Sequence, residues 1–173
     1  MNSMLRKLFA RLTAEPEPGA PLFKAATAAA RAKHWYREGA VEDNVVGRFA
    51  MLTTILALVT VRLEEGGADA RTHSGWLAER FVEAMDAEHR QMGVSDPSLG
   101  KTVRRLVGAL ANRADIWRQA VAGGDWRGAA STSIYRGNPP GEAALDHSAA
   151  RLEEFWRGLQ SAGDDALIEG RLG

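Results

Sequence analysis

The stretch DNVVGRFAMLTTILALVTVRL, residues 43–63, decides the fold. Its apolar residues recur at alternating spacings of four and three, at Val45, Phe49, Leu52, Leu56, Val59 and Leu63. Because an α-helix has about 3.6 residues per turn, this spacing keeps them on one side of a helix, which Asp43 is predicted to cap. The uncharged part, Phe49 to Val61, is shorter than the roughly 20 residues of a membrane span, so it predicts the buried core helix of a globular domain.

Helical patterns continue on both sides of this stretch. An alanine-rich helix is predicted from residue 21 to 37, and Ser74 is predicted to cap a helix that ends at Gly93. Asp96 and Pro97 start the next helix, so these two helices form a hairpin. A short helix over residues 126–135 and a long last helix follow, with no strand pattern. The sequence predicts an all-α protein, one compact domain of six or seven helices with a central helical hairpin.

Residues 1–20 are predicted to precede this domain, which spans residues 21–173, as an amphipathic helix and a proline-rich linker. No acidic residue occurs before Glu15, and three prolines between Glu15 and residue 21 prevent the helix from continuing. The pattern is typical of a helix in the interface of an anionic membrane, and docking on the protein's own core or on a partner is the equal alternative. The residues predicted to bind the membrane are Leu5, Arg6, Lys7, Leu8, Phe9, Arg11 and Leu12.

The composition argues against several classes of function. The chain has 173 residues and no cysteine, which removes disulfides, thiolate metal ligands and cysteine nucleophiles. Because 22 basic side chains balance 22 acidic ones, the overall charge gives no argument for nucleic-acid binding. The sequence has no Gly-x-Ser-x-Gly motif, and Gly100-Lys101-Thr102 lacks the spacing of a phosphate-binding loop. The residues therefore leave enzyme action unsupported, and we expect no cofactor.

A metal site is the alternative that the carboxylates and histidines leave open. Asp86 and His89 are three residues apart on one predicted helix, and Glu83 precedes Asp86 by about one turn. A di-metal site between helices needs a matching pair on a second helix, and the sequence contains none. We expect no metal; a membrane-associated helical enzyme using these three residues and a soluble helical scaffold are the alternatives.

Several motifs resemble the ubiquinol-cytochrome c chaperone family. The most specific is Met85–Asp96, with the pattern Met-Asp-x-x-x-Arg-x-Met-Gly-Val-x-Asp, followed by Gly100-Lys101. The resemblance covers about residues 28–172. Its other matching segments are Arg48–Leu52, Arg62-Leu63, Val103–Arg105, the region of Arg113, Ser133–Gly137 and Glu169–Leu172.

The resemblance implies an all-helical, non-enzymatic chaperone in respiratory-chain biogenesis. Such a protein assists assembly of the cytochrome bc1 complex by binding newly synthesised cytochrome b, without nucleic acid; contact with the ribosome is left open. Because Arg6, Lys7 and Arg11 interrupt any secretory signal, we expect the protein on the cytoplasmic face of the inner membrane, bound peripherally through its N-terminal helix.

The candidate client-binding residues belong to the predicted hairpin. Thioether and indole side chains adapt to varied apolar partners, although the core is the favoured place for Met85. Lys101, Arg104 and Arg105 form a basic ridge that suits an acidic partner, phosphates or lipid headgroups, and a solvated helix face is the simpler interpretation. The full candidate set is Trp76, Met85, Asp86, Arg90, Met92, Lys101, Arg104 and Arg105.

Overall fold

The computed structural model describes residues 17–91 and 99–173, and the side chains of residues 17–87 and 101–173. Within these ranges the protein is all-α, as predicted, with no strand. Six helices have ten residues or more, and two have five. The helices are α1 Ala20–Ala30, α2 Lys33–Arg37, α3 Val45–Glu65, α4 Ala68–Gln91, α5 Leu99–Gly123, α6 Trp126–Tyr135, α7 Glu142–Ser161 and α8 Asp164–Ile168.

The core is built around α3. This helix contacts α1, α4, α5, α6 and α7, and every residue from Thr53 to Val59 is buried. A helix surrounded by other helices must be apolar on all sides, which explains why this stretch carries no charge. Among the described residues, α3 is the one helix long and apolar enough to cross a membrane, but most of it is buried inside the fold.

The predicted central hairpin corresponds to α4 and α5, which pack against each other. Gly93, Asp96 and Pro97, the predicted turn residues, lie outside the described residues. The hairpin also packs on α3, and α5 makes the more extensive contact. One side of α4 and of α5 is thus fixed against the core helix.

The predicted helix over residues 21–37 is instead two helices, α1 and α2. Two aromatic side chains close the end of α1: the indole N–H of Trp35 donates to the carbonyl of Ala29 at 2.9 Å, and the hydroxyl of Tyr36 donates to that of Ala30 at 3.0 Å. These carbonyls are among the last four of a helix, which have no partner within it. The break at Arg31 is therefore stabilised by side chains that follow it.

Two predicted helix caps are wrong. Asn44, not Asp43, caps α3: its side-chain oxygen accepts from the N–H of Gly47 at 2.9 Å, while Asp43 pairs with Arg48. Ser74 lies inside α4, which begins six residues earlier, and its hydroxyl donates to the carbonyl of Arg71.

The start of α4 is held by a distant residue. The N–H of Gly67 donates to the carboxylate of Asp164 at 2.8 Å, across 97 residues of sequence. This bond, together with the guanidinium of Arg62, lowers the pKa of Asp164. No local pattern around Ser74 indicates such a partner.

The same carboxylate belongs to an ionic clamp centred on the buried side chain of Arg62. Its guanidinium donates to the carbonyls of Leu159 at 3.1 Å and Ala162 at 2.9 Å, and it forms an ion pair with Asp164 at 3.0 Å. Because the last carbonyls of a helix have no partner within it, Arg62 satisfies the end of α7. The clamp fastens α7 and α8 onto the core helix.

Candidate functional site

A groove of about 500 Å³ opens between α1, the first turns of α3, the end of α4 and the first turns of α5. We call it the α3–α5 groove. Its apolar floor is formed mainly by Val45, Val46, Phe49, Leu52, Met85 and Leu106. The base of the groove is continuous with the core, since Leu106 is buried and the ring of Phe49 packs on the buried ring of Phe81, with centroids 6.0 Å apart.

Two of the three exposed large apolar side chains of the described residues line this groove. Val45 is 66% exposed, Val46 45% and Val107 42%. The two valines of α3 line the groove, and Val107 follows the lining residue Leu106 on α5. Clustered apolar exposure of this kind marks an interaction surface more often than isolated apolar residues do.

The outer part of the groove, which we call its rim, is cationic. Four arginines line it, Arg31, Arg48, Arg105 and Arg136, and no carboxylate of the described residues does. Arg48 pairs with Asp43 beside the groove at 2.7 Å. Neither Arg31, Arg105 nor Arg136 has an ion-pair partner in the part of the chain that the structure describes.

A fifth arginine lies behind the groove. The guanidinium of Arg113 is 6.0 Å from the centroid of the Phe49 ring and donates to the carbonyl of Ser133 at 3.1 Å. Burial, and secondarily the charge of Arg136, lower the pKa of Arg113. A guanidinium remains protonated despite such a shift, so Arg113 adds positive charge behind the apolar floor.

The rim residue Arg136 has an unusual backbone. It ends α6 in the left-handed conformation, with φ of 53° and ψ of 35°, which glycine adopts more easily. The preceding Tyr135 fastens this helix end, since its hydroxyl donates to the carbonyl of Gly39 at 2.5 Å and lies 2.7 Å from the Ser148 hydroxyl. The fold thus holds an arginine where glycine would be easier to place.

The structure brings some of the sequence-predicted residues to the groove. Met85 is half-buried and lines it together with Arg105. Asp86 follows Met85 and is also half-buried, and Lys101 and Arg104 are exposed near the start of α5. The side chains of Arg90 and Met92 lie outside the described residues.

Trp76 lies elsewhere. It is nine residues before Met85 on the same helix, which at about 100° per residue places it on the opposite side. Its ring packs edge-on against His73, with centroids 4.5 Å apart. Gly19 packs against it so closely that an added Cβ would lie 3.1 Å from the Trp76 Cβ. The structure does not bring Trp76 into the α3–α5 groove.

Most residues of the groove are not predicted from the sequence. The sequence pattern places Val45 in the apolar stripe of α3, but in the structure Val45 is exposed and lines the groove. A second valine at position 46 is the signal that could have revealed this, because adjacent residues are about 100° apart and cannot both face a narrow core contact. Arg31 and Arg136 come from other helices, and no spacing connects them.

The carboxylates of the metal alternative have other contacts. Glu83 pairs with Arg80 at 2.8 Å, and the side chain of His89 lies outside the described residues. Among the described side chains, no group of three histidine, cysteine, aspartate or glutamate residues is placed to hold a metal ion. That the protein needs no metal stays a prediction.

A pair of histidines lies apart from the groove. Nδ1 of His34 on α2 is 3.1 Å from Nε2 of His147 on α7, so one ring donates a hydrogen bond to the other. Burial lowers the pKa of His34, and His147 and Arg151 lower it further. Two carboxylates, Glu38 and Glu154, act weakly in the opposite direction.

An all-helical domain that leaves apolar side chains exposed in a groove has the form of a protein-binding domain. The chain belongs to the ubiquinol-cytochrome C chaperone family, whose model matches residues 37–132, more than half of its length. Family membership implies a chaperone role in assembly of the bc1 complex.

The fold agrees with this assignment. The crystal structure of the Cbp3 homolog from Brucella abortus is similar, with a TM-score of 0.77 over 96% of this chain and 93% of that chain. At 21% sequence identity, this similarity shows a shared fold. No curated protein sequence matches the chain at a significant level.

Proposed function

We propose that the protein is a non-enzymatic assembly factor that binds newly synthesised cytochrome b during biogenesis of the bc1 complex. It acts on the cytoplasmic face of the inner membrane, where its client enters the bilayer. The observation that carries this proposal is the α3–α5 groove, because its floor residues from Val45 to Leu106 all fall within the family-matched range.

An exposed apolar groove suits the work of an assembly chaperone. Such a protein must cover apolar surface of an unassembled client and then release it, which favours a modest interface over a permanent one. The exposed Val45 and Val46 supply apolar contact, and the half-buried Met85 supplies a flexible thioether surface that adapts to different side chains.

Charge supports the same site. Arg31, Arg105 and Arg136 reach the groove without partners among the described residues, so their charges are available to a bound chain. Charged rims of this kind accelerate encounter and fix orientation more than they add affinity. The groove therefore offers apolar contact at its floor and steering at its rim.

Site-specific photo-crosslinking tests this proposal. A photoreactive residue at position 46, inside the groove, is compared with one at Glu153, which is exposed on α7 and does not line the groove. In membranes that are synthesising cytochrome b, we expect position 46 to crosslink to cytochrome b and position 153 not to do so. Equal crosslinking from both positions, or none from position 46, would contradict the proposal.

A further inference from the structure

The floor of the α3–α5 groove has few polar groups to offer a bound chain. Two hydroxyls line it besides the arginines, and both are already used: Thr27 donates to the carbonyl of Phe23 at 2.8 Å and Tyr36 donates to that of Ala30 at 3.0 Å. An extended segment would leave its own N–H and C=O groups without partners over Phe49 and Leu52, which costs free energy for each group. A helix satisfies these groups internally, so the floor favours a helical occupant.

The rim selects for negative charge beside that helix. Its four arginines come from four different parts of the fold: α1, α3, α5 and the end of α6. Guanidinium groups pair best with carboxylates, because the planar fork matches both oxygens of a carboxylate. With Arg113 behind the floor, the groove carries positive charge on several sides of an apolar surface.

The N-terminal segment of this chain does not match these requirements. Its apolar stripe is accompanied by Arg6, Lys7 and Arg11, and it has no acidic residue before Glu15. Like charges placed against the arginine rim are unfavourable. The described chain also starts on the other side of α4, where Glu17 pairs with Arg80 and Gly19 packs on Trp76.

We propose that the α3–α5 groove binds a helical segment of the client whose apolar face is bordered by aspartate or glutamate. The inference rests on the proposed function, since it names the chemistry of the client segment that occupies this groove. The apolar face lies on Val46, Phe49 and Met85, and the bordering carboxylates pair with Arg31, Arg105 and Arg136. The segment binds as an already folded helix, so its backbone needs no partner in the groove.

Two matched peptides test this chemistry with the full-length protein. Both form helices with the same leucine face; glutamates border that face in one peptide and lysines in the other. By fluorescence anisotropy we expect the glutamate peptide to bind about tenfold more tightly or better, with the difference shrinking at high salt. Equal binding of the two peptides, or a preference for lysine, would overturn the proposal.

Charge reversal at the rim provides the decisive comparison. The double variant Arg105→Glu/Arg136→Glu should invert the preference, so that the lysine peptide binds more tightly. The matched control is Arg157→Glu, an exposed position on α7 outside the groove, which should keep the original preference. A variant that remains helical by circular dichroism and still prefers the glutamate peptide would refute the pairing.

Separate measurements test the apolar floor and the alternative occupants of the groove. Val46→Asn should weaken both peptides by a similar factor, because it removes apolar contact without adding a charge to the groove. Direct binding of the protein to anionic phosphatidylglycerol vesicles that is abolished by Arg105→Glu/Arg136→Glu, with no difference between the two peptides, would overturn the proposal in favour of a lipid surface. Position 46 crosslinking to cytochrome b without any peptide preference would leave the proposed function standing and refute this client chemistry.

Discussion

At Arg136, the backbone conformation lowers the stability of the fold, whereas the side chain is proposed to bind the client. A non-glycine residue in the left-handed conformation costs about 1 kcal/mol, and the end of a helix is where glycine most often takes that conformation. We predict that Arg136→Gly raises the free energy of unfolding by about 0.5 to 1 kcal/mol, measured by urea denaturation, and weakens client binding.

The matched control for this prediction is Arg136→Ala. Alanine removes the guanidinium but keeps the cost of the left-handed backbone, so binding should weaken as in the glycine variant while stability does not increase. If glycine and alanine gave equal stability, the backbone argument would be wrong. If both variants bound the client normally, the rim position of Arg136 would have no role in capture.

The His34–His147 pair predicts a pH dependence of stability. The pKa of His34 is lowered in the folded protein, so the unfolded chain binds the proton more readily, and stability falls with decreasing pH. The loss begins as the pH drops through the unfolded value of about 6.5 and continues to the lower folded pKa. The nearby Glu38 and Glu154 oppose this effect more weakly than burial, His147 and Arg151 cause it.

The test compares thermal melts of the wild-type protein and His34→Gln between pH 7.5 and 5.5. We expect the wild type to lose more melting temperature over this interval, because glutamine does not titrate. Identical slopes for the two proteins would show that the histidine pair does not contribute to acid sensitivity.

At the scale of elements, the sequence predicts those helix bounds that are set by neighbouring residues in the chain. The helix Trp126–Tyr135 has the predicted bounds, because a glycine pair and Asp125 precede it and its end is followed by glycine and proline residues. The predicted start of α4 at Ser74 is wrong, because the residue that binds the N–H before the true start, Asp164, is 97 residues away from Gly67. The exposure of Val45 likewise depends on how other helices pack around the first turn of α3, which a single helical pattern does not contain.

The N-terminal segment carries a separate prediction about membranes. Residues 1–13 lie outside the described residues, and their apolar stripe with three cations predicts peripheral binding to anionic bilayers. Each cation contributes about 1 kcal/mol near such a surface, so binding should weaken as salt rises. In liposome sedimentation, full-length protein should pellet with anionic vesicles, and a variant that starts at Glu17 should not.

That starting point keeps the contacts of Glu17 and Gly19 with α4, so the shortened protein retains the described packing. Neutral vesicles serve as the second control, because they lack the charge that attracts the three cations. Equal sedimentation of the two proteins with anionic vesicles would contradict a membrane role for this segment.

Arg62 is predicted to be the most important ionic residue for stability. Arg62→Met leaves the carbonyls of Leu159 and Ala162 without their donor and separates Asp164 from its cation, which should cost about 2 to 3 kcal/mol in denaturant titration. The control is Arg118→Met, which breaks a surface pair with Glu64 between half-exposed side chains and should cost less than about 1 kcal/mol. Similar losses for both variants would show that the clamp is no stronger than a surface pair.

At the scale of the whole molecule, equal numbers of basic and acidic residues conceal an uneven surface. Arginines surround the α3–α5 groove, and the ridge at the start of α5 adds Lys101 and Arg104, both exposed. Because most exposed ion pairs contribute little to folding, the cations of this surface can be changed with little effect on stability. We therefore expect charge at this face to serve binding.

The corresponding prediction is a triple alanine variant of Arg90, Lys101 and Arg105. It should keep its helical circular dichroism and melting temperature but recover much less cytochrome b in a crosslinking pull-down from membranes, because steering and pairing are lost. Undiminished recovery by a folded variant would place the client site elsewhere. Loss of folding would show that these cations are structural.

The clamp at Arg62 also has a consequence for the order of events during synthesis. Ala162, whose carbonyl accepts from Arg62, lies 100 residues later in the chain. At a synthesis rate of about 5 to 20 residues per second, Ala162 is translated about 5 to 20 s after Arg62. Until then a guanidinium meant for burial stays hydrated at the end of α3, and α4 lacks the Asp164 carboxylate at its start. The attachment of α7 and α8 to α3 through this clamp therefore cannot form until residue 164 has been translated.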